Sequence, residues 1–257
     1  MSSIQTIVDD LNFDKNKWVD GFIFQTLRVS GRGKISYTTE SEDVQGADGL
    51  YDFFTTAEER EIVVTAKVTA QSNESYRKGL AKINAYLFER KKMKIRFTDD
   101  KDCYYNATIQ SVEDGDEESN KQIVEIVFRC SDIFKYTDEK TSTVSSNGLV
   151  NLDTDLSLIP EEVVINFSST SGANDFTLTN STQNKRIVIN NSGASSTKVS
   201  VGFKDNYIRY GNSDTNRLEV LNIKFSDFDT FKINDGDHIS VNKPTQSIIV
   251  KYKGARI

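Results

Sequence analysis

Glu61-Ile62-Val63-Val64-Thr65-Ala66-Lys67-Val68-Thr69 is the stretch on which the fold class turns. Ile62, Val64 and Ala66 alternate with Val63, Thr65 and Lys67, the two-residue period of a strand. A few residues later the period changes. Tyr76, Leu80, Ile83 and Leu87 recur at helical spacing, which predicts a helix from Glu74 to Arg90 with one face on a core. Ser72 or Asn73 is placed to cap it, and Glu74 falls in its positive first turn. Arg90, Lys91 and Lys92 complement its negative end. Working outward, Phe22–Val29, Met93–Thr98, Tyr104–Val112 and Gln122–Arg129 mix β-branched and aromatic residues and read as strands. Ile109 to Phe128 reads as a hairpin whose tip is Glu113-Asp114-Gly115-Asp116-Glu117-Glu118, with Asp-Gly as the turn.

The rest of the chain reads as β throughout. Between Glu139 and Ser200, 28 of 62 residues are Ser, Thr or Asn, which punctuate short strands and do not suit long helices. Strands are expected at Glu162–Phe167, Phe176–Thr179, Arg186–Ile189, Lys198–Phe203, Tyr207–Tyr210, Leu218–Ile223, Thr230–Ile233, Asp237–Val241 and Ser247–Tyr252. Their spacing of about ten residues is that of a β-sandwich. Asn234-Asp235-Gly236-Asp237 reads as a hairpin turn leading into His238–Val241. The composition shift sets a boundary within Asp138–Asn147, giving domains 1–138 and 139–257.

Of the 257 residues, 32 are basic and 38 acidic, for a net charge of -6. Residues 1–138 hold 19 basic and 25 acidic residues, and residues 139–257 hold 13 of each, so the first domain carries the whole imbalance. An acidic chain is a poor match for a protein that neutralises nucleic-acid phosphates. A mean hydropathy of -0.49 fits no membrane span, which needs about 20 consecutive apolar residues. Met1–Asp10 has neither the basic nor the apolar segment of a signal peptide, so synthesis in the cytoplasm is expected. Cys103 and Cys130 then read as two reduced thiols.

Catalytic equipment is missing. The single histidine, His238, follows a turn in a strand and reads as an edge side chain. No Gly-x-Ser-x-Gly elbow occurs. Gly31-Arg32-Gly33-Lys34 departs from the phosphate-loop pattern, lying between strands with Ile35 after the lysine, and reads as a tight turn. The acidic tip Glu113–Glu118 fails the spacing of a calcium loop. Two cysteines and one histidine leave a zinc site a ligand short. Adjacent carboxylates such as Asp99-Asp100 and Glu161-Glu162 point to opposite faces of a strand. The basic run Arg90-Lys91-Lys92-Met93-Lys94 reads as a helix end facing solvent. No enzyme, cofactor or metal is expected; a binding or structural role is.

An ordered series of segments now becomes legible: Leu27–Gly33, Gly46-Ala47-Asp48-Gly49, Thr55–Val64, the helix with Tyr76–Leu80 and Ile83–Leu87, Lys94–Asp100, Tyr104–Ala107, Val127–Tyr136, and finally Phe231–Val241 and Ile248–Tyr252. The series resembles the distal tail proteins of siphophages over nearly the whole chain. Ile133 is a departure, standing where that pattern has a proline. The resemblance implies an N-terminal tail-tube-like β-sandwich with one α-helix and a C-terminal galectin-like or carbohydrate-module-like β-sandwich. It implies a homo-hexameric ring in the virion, with the second domain at the periphery. The ring would join the tail tube protein to the tail-tip protein, with a receptor-binding or accessory baseplate protein as a further partner.

DNA would cross the central channel without specific binding, repelled by acidic groups such as Glu113, Asp114, Asp116, Glu117 and Glu118. Leu50, Tyr51, Phe53 and Phe54 lie in the Gly46–Thr56 segment, expected to be a loop; they either bury within their own subunit or clasp the neighbour. The rival function is a carbohydrate-binding module for a host cell-wall saccharide, using Tyr207, Tyr210, Phe203 and Phe225.

Overall fold

The computed structural model describes residues 4–33, 35–43, 48–89, 92–116, 119–190, 192–194 and 196–257. The fold is mainly β, as the sequence periods require. The chain divides into two compact units, Met1–Lys135 and Tyr136–Ile257.

The first unit contains β1 (Thr6–Val8), β2 (Leu11–Asn12), β3 (Phe22–Ser30), β4 (Tyr37–Asp43), β5 (Leu50–Ala57), β6 (Arg60–Ala70), α1 (Asn73–Phe88), β7 (Met93–Phe97), β8 (Asp100–Asp114) and β9 (Lys121–Cys130). All but β4 and β5 form one antiparallel ladder in the order β3-β6-β9-β8-β7-β1-β2. The fifteen-residue β8 makes the fold possible. Its start pairs with β7 and its end with β9, with irregularities on both sides that bend the sheet back over its own core. The curl brings β1 beside β3, where the Asp14 carboxylate joins them. It accepts from Thr6 N at 3.0 Å, Thr26 N at 2.6 Å and Thr26 Oγ1 at 2.8 Å. Phe13, Trp18, Phe24, Ile62, Val64, Phe97 and Phe128 fill the interior.

Helix α1 starts where expected, with the Ser72 hydroxyl accepting from Ser75 N at 3.1 Å. It ends at Phe88, and Arg90 and Lys91 of the expected C-terminal turn lie outside the described residues. Tyr76, Gly79, Ile83 and Leu87 form its buried face. The Tyr76 hydroxyl donates to Gln122 Oε1 at 2.5 Å, and Gln122 Nε2 donates to Gly115 O at 2.6 Å, so the helix holds the β8–β9 turn. That turn differs from the expected Asp-Gly type. Among the turn's described residues the positive backbone angle is at Ser119 (φ 57°) and not at Gly115, and β8 runs on to Asp114.

In the second unit, β10 (Lys135–Thr143, all but its first residue within the unit) lies beside β17 (Thr245–Arg256). The sheet continues through β11 (Glu162–Phe167), β14 (Lys198–Gly202) and β15 (Tyr207–Tyr210). A second sheet has β12 (Phe176–Asn180) between β13 (Lys185–Ile189) and β16 (Ile239–Val241). Val163, Ile165, Val199 and Val250 from the first meet Phe176, Leu178, Ile187 and Ile239 from the second, making a sandwich. A short α2 (Thr170–Asn174) interrupts the expected all-β pattern. Two expected strands are absent. Leu218–Val220, Ile223–Phe225 and Phe228–Thr230 are single 3₁₀ turns, and Ile233 makes only an isolated bridge to Leu158. Nor is there a hairpin at Asn234–Asp237, since β16 pairs with β12. The turn itself forms, with Gly236 at φ 77°. Its buried Asp237 carboxylate accepts from Asn180 Nδ2 at 2.7 Å and Asn234 N at 2.9 Å.

Both cysteines are buried, and burial pushes the Cys130 thiol up to about 12. Neither should react with a thiol reagent in the folded chain, and both should in denaturant; rapid labelling of the native protein would contradict the packing. Gly79 offers a sharper test. A Cβ there would lie 2.1 Å from a ring carbon of buried Phe22. In an exposed helix Gly→Ala gains up to about 1 kcal/mol; here Gly79→Ala should cost about 1–3 kcal/mol through overpacking, read as a lower urea midpoint.

Candidate assembly surface

Strands β4 and β5 pair with each other alone, from Tyr37↔Ala57 to Asp43↔Leu50. All fifteen of their residues are exposed. Two strands without a core face are marginal in water, and this pair carries a heavy apolar load. Leu50 is 68% exposed, Tyr51 64%, Phe53 56% and Phe54 53%, with Tyr37 beside them. Of the Gly46–Thr56 segment expected as a loop, Leu50 onward is a strand and Gly46 and Ala47 lie outside the described residues; its apolar side chains are not buried within their own unit. Glu40 opposes Phe54 and Ser41 opposes Asp52, leaving Phe53 as an extra residue. This bulge breaks the alternation that would send Phe53 and Phe54 to opposite faces. The Tyr51 and Phe53 rings meet edge-on at 5.8 Å. From Tyr37 to Ala57 there are five carboxylates (Glu40, Glu42, Asp43, Asp48, Asp52) and no basic residue.

The ribbon is held at its root. Gly31 has φ 88°, and a Cβ would fall 1.8 Å from Glu61 O, so only glycine fits. The Gly31–Gly33 segment is thus a turn, as expected. Arg32 makes two N–H bonds to the Asp99 carboxylate, each 2.8 Å, and its guanidinium lies 4.9 Å from the centre of the Phe97 ring. The paired hydrogen bonds from Arg32 hold the Asp99 carboxyl below its ordinary range. Neighbouring Asp100 turns to Lys135, at 2.8 Å. Across the root, Arg60 is buried. Its guanidinium donates to Arg32 O and, at 2.7 Å, to Ile133 O. The Thr38 hydroxyl donates to Glu58, and Arg129 pairs with Glu59.

The expected acidic tip is not one cluster in the described chain. Glu113 and Asp114 end β8, Asp116 is exposed beyond it, and Glu117 and Glu118 lie outside the described residues. The four aromatics of the rival reading do not share an exposed platform. Phe203 and Tyr210 are buried, with Phe203 stacked on Phe231 at 5.2 Å. The Tyr207 hydroxyl donates to Glu162 at 3.0 Å, and Phe225 is half-exposed. His238 is exposed, its Nδ1 3.3 Å from Ser181 Oγ. Sequence reasoning missed Tyr37, Arg32, Arg60 and Asp99.

Residues 20–130 match the family described as a phage tail protein RIFT-related domain. Residues 157–255 match the siphovirus-type tail component, C-terminal domain. The chain belongs to the siphophage distal tail protein family. Members of this family are structural components of phage tails. The fold is similar to that of the phage SPP1 Dit (gp 19.1) protein, described as a paradigm of the hub adsorption apparatus in Gram-positive-infecting phages. The TM-score is 0.74 at 19% identity, covering 98% of this chain and 99% of that one. A chain of the phage P2 baseplate in its activated conformation with Ca gives a TM-score of 0.56 at 11% identity, covering 98% of each chain. The corresponding Sr structure gives 0.54 at 11%, covering 97% and 98%. No curated protein matches the sequence. Among the described residues no helix is long and apolar enough to cross a membrane.

The root ion pair has a signed pH dependence. With its native pKa lowered, Asp99 contributes stability above its unfolded value of about 3.9, and the contribution disappears as pH falls through the native value. Because the pair is partly exposed, Asp99→Asn should cost no more than about 1 kcal/mol at pH 7. The difference from the parent should vanish in strong acid, as read by urea midpoints at the two pH values.

Proposed function

We propose that this chain is a hub of the phage tail, six copies closing into a ring that joins the tail tube to the tail tip. The observation that carries the reading is the β4–β5 ribbon: a two-stranded element exposing Leu50, Tyr51, Phe53 and Phe54 needs a protein surface to cover them. In a ring that surface belongs to the neighbouring subunit. The first unit is the ring-former, and the second sits at the periphery, where further baseplate or receptor-binding proteins attach. The role is structural rather than catalytic, in a virion made inside the host cell, and the family supports a Gram-positive host.

The charge distribution supports a DNA channel. Residues 1–138 carry the net -6, and a negative wall lets phosphates pass without sticking. Glu113 and Asp116 are the described, exposed members of the proposed repelling group. Phage carrying Glu113→Gln with Asp116→Asn should release DNA more slowly; unchanged release would remove these residues from the channel wall.

Light scattering on a sizing column tests the ring. The expected species has six times the 29.0 kDa chain mass and images as a ring with a central hole. Phe53→Ser with Phe54→Ser should yield a folded monomer. A ring that persists in this variant would exclude the ribbon from the contact.

A further inference from the structure

A second apolar surface lies on the same unit. The C-terminal half of α1 and the end of β8 enclose an open groove of about 500 Å³. Leu87 and Ile109 form its floor, with Ala85, Phe88 and Val112 along its sides. Phe88 is 88% exposed, more than any other large apolar side chain among the described residues. A helix that ends on a bare phenylalanine beside an exposed Val112 is uncovered at that end.

We propose that this groove receives the Tyr51, Phe53 and Phe54 side chains of a second copy of the chain. The inference rests on the ring reading and names the acceptor surface that the reading lacks. Ribbon and groove are different patches of one unit, so their contact is head-to-tail. Such a contact repeats from copy to copy and closes when the rotation allows. The aromatics are exposed in their own chain, which leaves a neighbour's groove for them to fill.

Charge selects the same pairing. The ribbon bears five carboxylates and no cation. The groove borders the chain's basic run, in which Lys92 and Lys94 are described and exposed. Met93 pairs with Ala107 in the β7–β8 ladder, which sets Lys92 just beyond that pair, toward Ile109. Glu113 follows Val112 at the other end of the groove. At the Lys92 end Glu89 also follows Phe88, but Lys92 and Lys94 together outweigh it, so the acidic edge of the incoming ribbon faces that end, away from Glu113.

Cysteine pairing tests the contact without touching the aromatics. Thr55→Cys is on the ribbon and Asn84→Cys on the groove wall; Cys103 and Cys130 are buried. Under copper-phenanthroline oxidation, a mixture of the two single variants should give a disulfide-linked dimer. The double variant should give a ladder ending at six chains. Lys92→Glu should raise the concentration for half-assembly about tenfold, and adding Asp52→Lys should reverse part of that loss. Rings that form normally but give no mixed dimer would overturn the groove while leaving the hub standing, as would full insensitivity to Lys92→Glu. A monomer at every concentration, with no cross-link, would remove the ring reading and this contact with it.

Discussion

The buried guanidinium of Arg60 is the constraint on which the arrangement of the first unit depends. It opens β6, the strand paired on one side with β3 and on the other with β9. From there it ties the carbonyl of Arg32, ahead of the ribbon, to that of Ile133, the segment leading to the second unit. It also lies 5.4 Å from the centre of the Tyr105 ring. A buried cation is costly unless its donors are used; here backbone carbonyls take Nη1 and Nη2, while the buried Nε finds no partner. The cost fixes where the ribbon leaves the core. Gly31, whose position against Glu61 O admits no side chain, fixes the same exit from the other strand. An element with no core of its own is thus aimed from a rigid base.

Carboxylates adjacent in sequence diverge to separate cations: Asp99 to Arg32, and Asp100 to Lys135. The second unit repeats this, with Glu161 paired to Lys204 and Glu162 to Lys251, and it also has one shared carboxylate, Asp153, whose pKa is depressed by Lys140 and Arg256. Such partly exposed pairs contribute little stability each, about 0–1 kcal/mol. They set register at the rims of sheets whose stability comes from the aromatic and β-branched interiors.

Where burial imposes a period, the sequence was readable. β6, α1, β9, β11 and β14 lie where the alternation or the helical spacing puts them, to within a residue or two. The misses share a physical origin. β4 and β5 have no buried face, so no alternation marks them, and four large apolar residues looked like a loop. Leu218–Thr230 has strand composition but lies against the sandwich in single 3₁₀ turns, where tertiary packing overrides propensity. Arg60 and Asp99 gave no local signal, because their partners lie 28 and 67 residues away in the chain. The apolar residues of the candidate surface were found by type; their exposure required the fold.

The uncovered ribbon also bears on solubility. A free strand edge with exposed aromatics is a template for pairing with a second ribbon like itself, which the bulge only partly blunts. Five carboxylates without a cation make that pairing mutually repulsive. The same charges that favour docking onto a different, basic surface thus keep identical ribbons apart. High salt removes this protection, so the isolated chain should clump ribbon to ribbon while its two cores remain folded.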